Sequence, residues 1–498
     1  DSWDRQAIKD AQINLAPEAA PDLHGRQALD VRFQRAANTI PLQSDYSVVA
    51  HFGEDCETKL IPGYPENSTD FYYSTVTGAE ELHRHGVTGD GVTVAVLDSG
   101  LWDHPALVHN TNGKDRVLAR YDAINNSERD GVFDESGHGT HLTSVIAHSG
   151  KTLRQGKATG GFKGIAPDVS LVAVKAFNET GQGGMLDIIR GLQWVVDKRK
   201  KYNIGVLNLS FAARPRWPYY LDPINQAVMR VWAAGITVVA AAGNEGPEDM
   251  TVGSPGNLPY IITVGAVTDS WTVGTRADDY IPDFSSRGPT PAAHIKPDLV
   301  APGGHITGIT RPGSSLTQDH PEYALPGGDF VMTGSSQAAA LVSGLAALLL
   351  QLEPDLSPDD VKCKLLSTAE PAINRDGLLA YSPFVQGHGY VNLTRAITLG
   401  ERGCGNTQLN LSRDMSFEEH FEGPAIIDAD GKISLPGLVH MLSAEPTEKG
   451  NSENRVWGVK AHVERLPETY RSPANHPFSW QEMYELERQK IEALSTPP

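Results

Sequence analysis

Five short, nearly continuous apolar runs recur between positions 91 and 266, and they constrain the fold more than any other feature. They are Gly91–Leu97, which leads into Asp98, then Ser170–Ala176, Val206–Ser210, Thr237–Ala242 and Ile261–Ala266. A run of this length without polar alternation reads as a strand covered on both faces. Between them, Leu186–Val196 and Pro223–Ala233 carry apolar residues at helical spacing. Strands alternating with helices predict an α/β fold, with a doubly wound, mostly parallel sheet and helices on both faces. Chemistry in such sheets gathers at the carboxyl ends of the strands.

Three zones differ in texture. Residues 1–75 are polar and irregular, with scattered prolines, and read as an N-terminal extension. Residues 76–400 hold the alternating pattern and read as the α/β domain. Residues 401–498 turn polar again and read as a C-terminal extension or small accessory domain, with a helical pattern over 481–494. The net charge of −19 argues against a nucleic-acid partner or an anionic membrane surface, since both need a basic face. The longest apolar run, Ala338–Leu350, is interrupted by Ser343 and Gly344, so no membrane insertion is expected. The three cysteines, Cys56, Cys363 and Cys404, fit no metal motif. Three separate buried thiols is the slightly favoured reading, and a Cys363–Cys404 disulfide is the alternative.

Four motifs carry chemistry. Asp98 follows directly on the first strand, in Val96-Leu97-Asp98-Ser99-Gly100. His138 sits between two glycines in Ser136-Gly137-His138-Gly139-Thr140-His141, ahead of an apolar helical stretch. Asn244 follows the fourth strand in Ala242-Gly243-Asn244-Glu245-Gly246. Ser336 opens a long apolar helix in Thr333-Gly334-Ser335-Ser336-Gln337-Ala338. Taken singly, each has a plain alternative: a turn aspartate, a structural histidine, a turn asparagine, a helix cap. Taken together they supply a nucleophile, a base, a group that orients the base, and an oxyanion donor. The two histidines at i and i+3 have no adjacent glutamate and no third ligand, so zinc is not expected and His141 reads as structural.

In their order, these residues resemble the subtilisin-like serine proteases, the subtilase family. The match runs from Gly86-Val87-Thr88-Gly89-Asp90-Gly91 to Gly387-His388-Gly389-Tyr390-Val391-Asn392. It includes Gly164-Ile165-Ala166-Pro167, Phe284-Ser285-Ser286-Arg287-Gly288-Pro289 and Lys296-Pro297-Asp298-Leu299-Val300-Ala301-Pro302-Gly303. The resemblance implies a seven-stranded parallel sheet and a serine endopeptidase working through an acyl-enzyme. Ser336 would be the nucleophile, His138 the base, Asp98 its orienter and Asn244 the oxyanion-hole donor. It implies that Gly183, Gly184 and the segment Ser210-Phe211-Ala212 edge the peptide groove. Ala241, Ala242 and Gly243 would line the S1 pocket and Gly253 its base, giving a preference for large apolar P1 side chains. It also implies protein or peptide substrates, a monomer, and secretion after removal of a signal peptide.

The chain departs from the family pattern in several places. Ser335, Gln337 and Ala340 stand where threonine, methionine and proline are usual, and Phe211-Ala212 replaces Leu-Gly. No cofactor is needed for the chemistry. A structural calcium ion is compatible with the family, but no ligands can be named, because His104-Pro105-Ala106-Leu107 occupies the stretch where an aspartate is usual.

Overall fold

A computed structural model describes residues 72–435, except 129–132, 155, 269–275, 277–278, 326–327, 374–378, 408 and 428–432, together with 456–457. The extension 1–75 and the helical pattern at 481–494 therefore lie almost wholly or wholly outside the described residues.

The central sheet contains β1 (Thr93–Asp98), β2 (Val117–Asp122), β3 (Ser127–Glu128), β4 (Ser170–Lys175), β5 (Ile204–Leu209), β6 (Thr237–Ala241), β7 (Ile262–Val267) and β8 (Leu299–Pro302). Their order is β8-β7-β6-β5-β1-β4-β2-β3. Seven strands run parallel, as expected, and the two-residue β3 closes the edge antiparallel. All five apolar runs are strands of the middle of this sheet. The register sets Asp98 opposite Lys175, so both end their strands at the same edge.

Four helices flank the sheet: α1 (His138–Ala147), α2 (Met185–Tyr202), α3 (Pro223–Ala233) and α4 (Ser335–Leu352). Helices α1 and α4 pack together over one face, and α2 and α3 over the other. Asp222 starts α3 by accepting from the Ile224 and Asn225 N–H groups, and Pro223 takes the first helical position, where no N–H is needed. Helix α4 is long and apolar enough to cross a membrane, yet it is largely buried in the core. Its two interruptions have structural uses. The Ser343 hydroxyl donates to Asn208 Oδ1 on β5 (2.9 Å), and at Gly344 an added Cβ would lie 2.6 Å from Ile165.

Outside this frame, Tyr73 is buried and its hydroxyl donates to the Thr307 carbonyl (3.2 Å). At the other end, the buried Asp414 carboxylate accepts from the hydroxyls of Tyr219 (2.6 Å) and Tyr260 (2.8 Å) and pairs with His420 (2.8 Å). The reading of three separate thiols is corrected here. Cys363 and Cys404 form a disulfide, with Cα atoms 4.8 Å apart. Cys363 sits in the helix Pro358–Ser367, which is buried along most of its length, and the chain from 400 returns alongside it, which spacing alone does not reveal.

At 104–107, where a calcium-binding aspartate would fall, the structure shows a buried cation. Arg116 donates to the carbonyls of Ala106, Leu107, Ala147 and Pro167. Burial pushes its guanidinium down to about 10.

Candidate active site

The four chemical motifs converge on the carboxyl edge of the sheet. Asp98 is the last residue of β1, His138 the first of α1, and Ser336 the second of α4, while Asn244 lies three residues beyond β6. Gly137, at φ +96°, turns the chain into α1. Gly139 lets the start of that helix approach β1, because a Cβ there would lie 2.4 Å from the Gly100 carbonyl and 3.2 Å from Asp98 Oδ1.

The His138 Nδ1–H donates to Asp98 Oδ1 (2.8 Å), and both side chains are buried. The Ser99 N–H donates to the same oxygen (2.7 Å). A proton on Nδ1 leaves Nε2 as an acceptor. That nitrogen is buried and makes no hydrogen bond. Three residues along the helix, His141 is also buried, and its Nε2 lies 3.1 Å from the Phe330 carbonyl and 3.2 Å from that of Ile306. Burial pushes it down to about 3, so it stays neutral.

The Ser336 hydroxyl donates to the Ser210 carbonyl (2.9 Å) rather than to His138. In return, the Ser210 hydroxyl donates to the Ser336 carbonyl (3.0 Å) and accepts from Asn208 Nδ2 (2.8 Å). The start of α4 is thus stitched to the segment after β5.

Asn244 is oriented by its neighbour across the site. Its Oδ1 accepts both the N–H and the hydroxyl of Ser335 (2.9 Å each), so Nδ2 is turned the other way. Nδ2 lies 3.2 Å from where a Cβ on Gly334 would be. The Ser335 oxygen in turn accepts from the Gly243 N–H (3.1 Å). Sequence reasoning treated Ser335 only as a departure from the family pattern. Its place beside Ser336 is the signal that it touches the same groups.

The predicted groove residues fall into two sets. Gly183 and Gly184 precede α2, and a Cβ on Gly183 would lie 2.8 Å from the Phe177 ring. Phe211 is buried and packs on Phe177, with ring centroids 5.1 Å apart. Phe177, missed in the sequence, therefore lies against both Gly183 and Phe211. In the second set, Ala241 and Ala242 are buried, Gly243 takes φ +110°, and Gly253 donates to the Ala242 carbonyl (3.0 Å). The Ala212 methyl faces this corner, 2.8 Å from a Cβ placed on Gly253 and 3.2 Å from one on Gly243. Among the described residues, no group of three or more His, Cys, Asp or Glu side chains could hold a metal ion.

Comparison with known proteins gives this geometry a context. The model of the Subtilase family matches residues 89–389. The chain is similar to serine protease AprX of Bacillus subtilis (strain 168), at 36% identity over 330 residues, which is 64% of this chain and 69% of that protein. It is 33% identical over 322 residues to subtilisin E of the same organism and to a subtilisin of Bacillus pumilus, of which 68% and 95% are covered. Among solved structures, the S41 psychrophilic protease aligns at a TM-score of 0.48 and 27% identity, over 61% of this chain and 92% of that one.

Proposed function

The chain belongs to the subtilase family of serine proteases, and on that premise we propose that Ser336, His138, Asp98 and Asn244 carry out peptide-bond hydrolysis through an acyl-enzyme. The observation that carries this reading is the buried Asp98–His138 pair, with Nδ1 committed to the carboxylate and Nε2 left open. The Ser336 hydroxyl swings away from the Ser210 carbonyl and passes its proton to Nε2 as its oxygen attacks the substrate carbonyl. Asp98 holds the imidazolium that forms. Charge developing on the substrate oxygen meets Asn244 Nδ2 and the Ser336 N–H at the start of α4. His138 then returns its proton to the leaving amine, and water repeats the sequence in reverse to release the acid.

The substrate would lie extended between Gly183-Gly184 and Ser210-Phe211-Ala212, adding a strand to the site. The P1 side chain would enter the corner formed by Ala241, Ala242, Gly243 and Gly253. None of these four residues carries a charge, so apolar P1 residues are favoured over lysine or arginine. The Cys363–Cys404 disulfide supports an extracellular setting.

Labelling with a fluorophosphonate tests the reading. The folded chain takes one label at Ser336, and the Ser336→Ala variant takes none. A folded chain that is not labelled, or is labelled equally without Ser336, overturns it. A peptide series varied at P1 tests the pocket, and a strict basic preference overturns that part.

A further inference from the structure

Behind the Asp98–His138 pair lies a second carboxylate, fully buried, that the proposed reaction does not use. Asp134 Oδ1 accepts from the Ser99 hydroxyl (2.8 Å) and the Gly137 N–H (2.7 Å). Its Oδ2 accepts from the N–H and the hydroxyl of Thr140 (2.7 Å each). Gly137 and Thr140 straddle His138. Helix α1 has no side-chain cap from its own N-cap residue and no acidic residue in its first turn. Asp134 therefore supplies both, satisfying N–H groups at the start of the helix and placing a negative charge at its positive end.

The link to Asp98 runs through one hydroxyl. Ser99 Oγ lies 2.8 Å from Asp134 Oδ1 and 3.1 Å from Asp98 Oδ1, and it accepts from the Gly139 N–H (2.9 Å). A serine hydroxyl has one proton, and the shorter bond takes it. As long as Asp134 holds that proton, the hydroxyl does not satisfy Asp98. The charge on Asp98 Oδ1 then falls to the Ser99 N–H and the His138 Nδ1–H, and Asp98 Oδ2 makes no hydrogen bond.

We infer that Asp134 is a positioning residue that caps the helix bearing His138 and, by holding the Ser99 hydroxyl, directs the Asp98 charge onto the His138 ring. The inference rests on the proposed roles of Asp98, His138 and Ser336.

Asp134→Asn tests it. The substitution frees the Ser99 hydroxyl to turn to Asp98 and removes the charge at the helix start. Turnover per fluorophosphonate-titrated site falls about tenfold or more, with KM within about twofold. In proton NMR, the downfield resonance of the His138 Nδ1–H moves upfield as its bond to Asp98 weakens. If turnover per titrated site and the resonance stay unchanged while only thermal stability drops, Asp134 is merely structural and the inference fails. Should Asp134→Asn not fold, Ser99→Ala serves instead, because it leaves the three helix-start bonds to Asp134 intact. It removes the hydroxyl that Asp134 withholds from Asp98, so nothing new competes for the carboxylate and the His138 Nδ1–H resonance keeps its downfield position. An upfield shift would show that the hydroxyl supports the Asp98–His138 bond rather than competing with it, and overturns the inference. The two levels of failure are distinguishable. If the underlying reading is wrong, the unaltered chain itself takes no label and shows no turnover that depends on Ser336.

Discussion

Two helix starts meet at the candidate site, and they are built differently. The start of α1 is locked, with His138 tied to Asp98 and bracketed by backbone bonds to Asp134. At the start of α4 the backbone is held, but the Ser336 side chain keeps one bond, to a carbonyl it must leave. The difference fits the division of labour proposed above. A base must stay in one tautomer and orientation, whereas a nucleophile must move from a resting bond to an attacking one. The most severe way to break this pairing is to remove its mobile half. Ser336→Ala, or removal of the base by His138→Ala, lowers kcat by about 10⁴-fold or more. Both changes leave the fold unaltered by circular dichroism.

The fixed side of the α4 start is tested next. Asn244→Ala removes the proposed oxyanion donor, so kcat falls about 100- to 1000-fold with little change in KM. Ser335→Ala leaves Asn244 in place but deletes the hydroxyl that, with the Ser335 N–H, orients it. The amide can then turn, and kcat falls about tenfold, a fraction of the Asn244→Ala effect. If Ser335→Ala matches Asn244→Ala in size, Ser335 does more than orient. If it has no effect, the backbone bond alone suffices.

These contacts mark where the sequence was legible and where it was not. The five central strands could be read because burial on both faces leaves no polar alternation. The outer strand β2 could not, because Val117–Asp122 is partly exposed and mixes Arg120 and Asp122 with its apolar residues. Asp98, His138, Asn244 and Ser336 were visible because glycines and strand ends frame them. Asp134, Ser335 and Phe177 were not, since their roles depend on what they face across the fold. The Cys363–Cys404 bridge was ambiguous for the same reason: its 41-residue separation says nothing about proximity.

A finer contrast lies within α1 itself. His138 takes up a proton in the proposed reaction, whereas His141 is held neutral. Burial pushes His141 down to about 3, and His294, buried against the Phe421 carbonyl, is also pushed down to about 3. In an unfolded chain both titrate near 6.5. Between about pH 6.5 and 3 the unfolded state therefore binds more protons than the folded state, and stability falls as the pH drops. Each group contributes at most about 1.4 kcal/mol per pH unit across that window. Urea unfolding at pH 7, 5 and 4 measures the slope. Replacing His294 with asparagine removes one group's share, and an unchanged slope would show that His294 is not held neutral.

The smallest expected effect concerns shape rather than charge. The Ala212 methyl packs against Gly253 and Gly243, where an added Cβ would meet it at 2.8 and 3.2 Å, so it fills space at the proposed P1 corner. Only a methyl separates this chain from the glycine that the family pattern has there. Ala212→Gly enlarges the corner by about one methyl group, which is worth roughly 1 kcal/mol of discrimination in an apolar pocket. The ratio of kcat/KM for phenylalanine over alanine at P1 then rises about fivefold, with the alanine substrate itself little affected. An equal rise for both substrates would mean that the methyl acts on the backbone of the Ser210-Phe211-Ala212 edge. In that case the corner described here is not where P1 binds, and Gly253 loses its place as the pocket base.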